Sequence, residues 1–192
     1  MRWGALFGDM EAQLAEAARL EWEAQAAELT RAERSGARMV DRLRSSLGRT
    51  LEVTLESGLT PTGTLRHAGN EWLVLESGPQ DWLIPTVGIV TLRGVAREAA
   101  PEAGTMWQRA GLAGAFRVIA QDRALVRVFL SRGGPGLHEI SGVISAVGQD
   151  HLDLLLQDLA GERRGSSEAL AIPFRAIIAL RGEEGAGAFG RL

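Results

Sequence analysis

The sequence predicts a mainly β protein with helices: a long N-terminal helical segment, then two small five-stranded barrels in tandem, each preceded by a helix. Three observations carry this reading. The spacing of apolar residues changes from three-and-four to two at residue 51. The phrase "IPTVGIVTLRG" at residues 84–94 returns as "IPFRAIIALRG" at residues 172–182. The strand runs are short, about five of them between residues 51 and 94, too many and too short for a sandwich. Closure into a small, strongly bent barrel would remove the exposed sheet edges.

Residues 9 to about 47 read as helix, with Met10, Leu14, Ala18, Trp22, Ala26, Leu29, Met39, Val40, Leu43 and Leu47 at helical spacings. Asp9 suits the N-cap, Ser35-Gly36 should kink or split the segment, and Gly48 should end it. From residue 51, "LEVTL" alternates apolar Leu51, Val53 and Leu55 with polar residues, the pattern of a half-buried strand. "TLRHA" and "EWLVLES" follow as strands around a Gly69-Asn70 turn, and "DWLIP" and "VGIVTLRG" complete the unit. A linker and a second helix come next, and "LVRVFLSRGG" opens a second strand series. The resulting division is an N-terminal helical segment (1–48), a first barrel (49–95), a linker and helix (96–123), a second barrel (124–183) and a loose tail (184–192).

The repeat extends beyond the closing phrase. Gly63, Leu65, Gly69, Asn70, Glu71, Leu73 and Leu75 match Gly142, Ile144, Gly148, Gln149, Asp150, Leu152 and Leu154. Upstream, Leu51, Val53 and Leu55 match Val126, Val128 and Leu130. The two blocks have offsets of 79 and 88, so the second repeat carries nine extra residues. These fall in the polar stretch "QDLAGERRGSSEAL", which reads as a lengthened hairpin loop. Within the closing phrase, Pro85 and Pro173 belong at a strand start or edge, because proline cannot donate to a ladder. The glycines of Arg93-Gly94 and Arg181-Gly182 can take a positive φ where the strand closes.

"VTLESGLTPTGTLRHAGNEWLVL" followed by "LIPTVGIVTLRG" resembles the Sm-like family of SH3-like small barrels. The family pattern is a strand ending in glycine, a second glycine five residues on, then an apolar residue two positions later; here these are Gly58, Gly63 and Leu65. Arg93-Gly94 is similar to the Arg-Gly ending of its second motif. The resemblance covers residues 40–94, and residues 115–182 more loosely because the Gly133–Gly142 turn is longer. It implies the barrel fold. The RNA-binding members carry an acidic residue in the second-to-third strand turn and an asparagine shortly after. This chain has Gly69 and Gly148 at the first place and no asparagine at the second in either repeat.

Composition narrows the function classes. Cysteine is absent, which removes disulfides and thiolate chemistry and fits a cytoplasmic setting. His67, His138 and His151 fall in no metal-binding spacing, no G-x-S-x-G occurs, and a phosphate-binding loop lacks its lysine. Carboxylates such as Glu71/Asp81 and Asp150/Asp153 fall in turns and on strand faces where solvated charge is the rule. The chain is therefore expected not to be an enzyme and to need no cofactor, metal or small-molecule substrate. No apolar run approaches a membrane span, and "MRWGALFGDMEAQL" makes a poor signal peptide.

All 21 basic residues are arginine, a bias typical of a high-GC bacterial genome, so arginine number alone is no sign of function. A net charge of −3 argues against a general polyanion-binding surface. The most basic feature is the stripe Arg31, Arg34, Arg38 and Arg42, with Arg44 beside it, the candidate nucleic-acid surface. Trp72 and Trp82, which flank a loop of the first repeat, are the candidate partner contacts. The expected function is a non-enzymatic adaptor or structural module whose barrels and N-terminal helix contact a protein partner or further copies of the chain. The alternative is an RNA- or DNA-binding regulatory protein of Sm-like type.

Overall fold

The structure is a computed structural model that describes residues 16, 19–23, 25, 28, 36–99, 111–131, 138–156, 169–183 and 189. The chain divides into two compact units, residues 1–38 and 39–192. In the first, the described residues up to Gly36 are helical, and the helix stops before Ala37, beside the glycine expected to interrupt it. Arg19 there pairs with Glu16 and Glu23, one helical turn away on either side, each at 2.6 Å.

The second unit opens with a short helix α1 (Met39–Arg44), and Gly48 turns the chain out of it at φ +80°. Five strands follow: β1 (Thr50–Leu55), β2 (Thr62–Ala68), β3 (Trp72–Ser77), β4 (Gln80–Pro85) and β5 (Ile89–Arg93). Helix α2 (Leu112–Asp122) leads into β6 (Leu125–Leu130), β7 (His138–Val147), β8 (His151–Leu156), β9 (Ala169–Pro173) and β10 (Ile177–Gly182).

The sequence repeat is reproduced residue by residue in the strand registers. Leu51 lies opposite Gly63, and Val126 opposite Gly142. Leu65 faces Leu75 and Ile144 faces Leu154, each just before an irregularity of the ladder that skips one residue. Val53 faces Leu92 and Val128 faces Leu180. Pro85 and Pro173 each end a strand and lead into a one-turn 3-10 helix, Thr86–Gly88 and Phe174–Ala176. Gly63 and Gly142 mark the closest approach in each repeat: a Cβ there would collide with the carbonyl of Glu76 or Leu155 on the neighbouring strand. The copies differ at their ends. Gly94 takes φ +87°, whereas Gly182 stays in the ladder opposite Val126. The extra residues fall between the end of β8 at Leu156 and the start of β9 at Ala169.

All ten strands belong to one antiparallel sheet, in the order β5-β1-β2-β3-β4-β10-β6-β7-β8-β9. This corrects the expectation of two separately closed barrels, because the sheet is not closed. The outer edge of β4 is occupied by β10, a strand of the other repeat, instead of curling round to β5.

The packing explains why the repeats join. Trp72, Leu73, Val74 and Leu75 are all buried, so β3 is covered on both faces. Leu73, Leu75 and Ile84 face one core with Leu43, Leu51, Val53 and Leu65. Trp72, Val74 and Leu83 face the other core with Phe116 and Ile119 of α2, Val126, Val128 and Leu180. Phe129, Ile178 and Ala179 reciprocate, leaving the second repeat to pack into the first core. Each fully buried aliphatic or aromatic side chain contributes roughly 1.5–3 kcal/mol, so both cores depend on residues from both repeats. Phe189, the one described residue of the stretch 184–192, is 1% exposed and packs in the second core.

Candidate interaction surfaces

The repeats meet where β4 pairs with β10. Leu180 pairs with Leu83, and Arg181 with Trp82. The Trp82 and Phe129 rings stack with centroids 5.2 Å apart and planes inclined by 25°. The Arg181 guanidinium lies over both, 5.5 Å from the Trp82 ring and 5.7 Å from the Phe129 ring. Glu183 lies 3.7 Å from it and also binds Arg127, which reaches Glu139 at 3.2 Å. The Glu183 and Glu139 carboxylates, Glu183 first, push the Arg127 guanidinium above its ordinary pKa.

At the two ends of the sheet, β5 and β9 have no strand partner on their outer side among the described residues. Exposed apolar side chains gather there: Val87 and Val90 at β5, Leu170 on β9 and Leu156 at the end of β8. Val90 is 61% exposed, although its repeat equivalent Ile178 is 3% exposed at the junction. Leu170 is 41% exposed, and its equivalent is Trp82 of the stacked pair.

The residues singled out in the sequence take different places. Trp72 is 1% exposed and belongs to the second core, so it offers no surface to an outside partner. Trp82 does make a partner contact, but within the chain, across the repeat junction. Of the arginine stripe, Arg31 and Arg34 lie outside the described residues, and Arg38 is exposed. Arg42 donates from Nε to the Ala96 carbonyl at 2.9 Å. Arg44 is 8% exposed; it donates to Asn70 Oδ1 at 2.7 Å and approaches Asp41 at 3.4 Å. Both side chains thus tie α1 to the first repeat. Ser46, fully buried, completes this anchor: its hydroxyl donates to the Arg42 carbonyl at 2.7 Å and accepts from the Ala96 N–H at 2.8 Å.

A cleft of ≈ 900 Å³ lies between matching loops of the repeats, walled by Glu71, Pro85 and Val87 on one side and Asp150, Phe174 and Arg175 on the other. The start of α2 also lines it, and there Glu71 Oε2 accepts the Leu112 N–H at 3.0 Å and caps the helix in place of the side-chainless Gly111. Asp150 binds His151 Nδ1 at 2.9 Å, which raises the histidine pKa and lowers that of the carboxyl. His67, half-buried, moves the other way: desolvation first and Arg66 second push it below its ordinary value. Among the described residues, no group of three potential metal-binding side chains occurs and no helix is long and apolar enough to cross a membrane.

The junction itself was missed by sequence reasoning, although a signal was present. "WLVL" in β3 is four apolar residues without alternation, the mark of a strand buried on both faces. No family model matches the chain, and no curated protein matches it in sequence.

Proposed function

We propose that the protein is a non-enzymatic structural or adaptor module that acts through protein–protein contacts. In this reading its halves are small, strongly bent β modules of the Sm-like kind, and strand edges are its means of association. One observation carries it: the two repeats are joined edge to edge through β4 and β10, while β5 and β9 end the sheet with exposed apolar side chains beside them. An open strand edge is a template for another strand, and apolar side chains beside it add to the attraction. Nucleic-acid binding has less support, because Arg42 and Arg44 are bonded within the fold.

The test is capture of the tagged chain from its native cell, analysed for protein and nucleic acid together. The reading expects a defined protein, including untagged chain, that stays bound after nuclease treatment and through a high-salt wash. Enrichment of RNA or DNA alone, lost with rising salt as phosphate contacts are, would overturn it.

A further inference from the structure

We propose that the cleft between the repeats binds a short free peptide with apolar side chains, its terminal ammonium held by Glu71 and its terminal carboxylate by Arg175. The site is independent of association through strand edges, because a ligand in the cleft needs no second chain.

The walls are held in place by the fold itself. In each repeat the turn before the third strand is strapped to the 3-10 turn that follows the proline. The Thr86 N–H donates to the Glu71 carbonyl at 2.9 Å, and the Phe174 N–H to the Asp150 carbonyl at 2.8 Å. Pro85 and Pro173 fix the backbone at the head of those turns. The Phe174 ring packs edge-on against Phe116 of α2, with centroids 5.0 Å apart. Glu71 is anchored a second time, through the Leu112 N–H. At ≈ 900 Å³ the cleft lies in the upper part of the range for small-ligand sites, and an apolar lining with a few placed charges is their usual make-up.

The charges define the ligand. Arg175 lines the cleft and has no ion-pair partner among the described residues. Asp150 is occupied by His151 at 2.9 Å. Glu71 gives one oxygen to a neutral backbone N–H and meets no cation among the described residues, so it retains lone pairs for a further donor. An unpaired anion from one repeat and an unpaired cation from the other thus share one space with Pro85, Val87, Leu112 and Phe174. Val87 is 80% exposed there, apolar surface that a bound side chain would cover.

A ligand that answers both charges has an ammonium at one end, a carboxylate at the other and an apolar body. In a free amino acid both charges sit on one carbon. A dipeptide or tripeptide separates them by roughly 3.5 Å per residue and so can reach both repeats. A nucleotide is a poor match: its phosphate would suit Arg175 but face Asp150, and it brings no cation to Glu71.

The test is a titration of the full chain followed by NMR shifts, with the dipeptide Leu-Leu as probe. Saturable binding at the cleft residues is expected. N-acetyl-Leu-Leu lacks the ammonium, Leu-Leu amide lacks the carboxylate, and free leucine lacks the span; each should bind about tenfold more weakly, the scale of a lost charged hydrogen bond. E71Q keeps an oxygen for the Leu112 N–H, and R175Q alters an exposed side chain. E71Q should weaken Leu-Leu about tenfold and leave N-acetyl-Leu-Leu unchanged, whereas R175Q should weaken Leu-Leu and leave the amide unchanged. The ligand series reads both charges without any substitution, so it decides the matter even where a variant fails to fold.

Three results overturn the proposal. One is the absence of saturable Leu-Leu binding at every attainable concentration. Another is a blocked derivative or free leucine that binds as tightly as Leu-Leu; for the blocked forms this would mean capture of one terminus of a protein chain instead of a free peptide. The third is a nucleoside monophosphate that binds more tightly than Leu-Leu.

Discussion

Trp82 and Phe129 belong to different repeats, yet their rings stack at 5.2 Å with the Arg181 guanidinium lying over both. This pair is the seam of the molecule. Replacing Trp82 with Ala removes a large aromatic contact and uncovers Phe129. The expected loss of stability is about 3 kcal/mol, measured by urea unfolding. A double-mutant cycle with F129A should return a coupling of roughly 1 kcal/mol. Additive effects would show that the two rings are merely neighbours.

Gly63 and Gly142 occupy the same place in each repeat, against the carbonyls of Glu76 and Leu155. G63A and G142A should each cost about 1–3 kcal/mol, because the added methyl must push backbone aside. Gly36, where an added methyl would meet nothing within 4 Å, is the control. Midpoint denaturant concentrations for the three variants decide the matter, and equal values would remove the close-approach argument.

Arg44 is bound into the fold through Asn70 and Asp41. R44A should destabilise the second unit by about 2 kcal/mol, the order expected for hydrogen bonds to a buried charge. N70A should lose less, and the double variant should fall short of the sum. An unchanged melting temperature in R44A would mean that the contacts contribute nothing net.

His67 and His151 oppose each other in pH dependence. The folded pKa of His67 lies below its ordinary 6.5, so the unfolded chain protonates first as pH falls; its contribution is full above 6.5 and declines with acidification beneath it. His151 is raised by Asp150, so its contribution is present below 6.5 and fades as pH rises through its folded value. Urea midpoints taken at pH 5.5 and pH 7.5 should fall less on acidification in H67Q than in the unaltered chain, and more in H151Q. The reverse order would contradict the assigned environments.

Much of the fold was legible in the sequence because its signals are local or repetitive. The strand series, the Gly69-Asn70 turn, the terminating Gly48 and the helical break near Ser35-Gly36 all follow from the preferences of a few adjacent residues. The matched glycines and Ile-Pro pairs placed equivalent strands in equivalent registers. Closure was not legible, because it depends on which edge β4 meets, and that choice is made by residues far apart in the chain. The candidate surfaces fared similarly. Helical spacing placed Arg42 on a basic stripe with Arg44 beside it, but could not foresee Ala96 and Asn70 arriving to bind them. Trp82 was singled out as a contact residue, while its companion Phe129 lay in a strand whose alternation hid its role.

The two-faced strand β3 has a consequence for how the chain is made. During synthesis the first repeat leaves the ribosome with Trp72, Val74 and Leu83 on an outer face that only α2 and the second repeat can cover. At roughly 5–20 residues per second, that face waits for several seconds uncovered. A stop codon between the repeats would leave it bare for good. Once the duplicated halves had come to share this strand, neither could be lost from the gene without exposing the other.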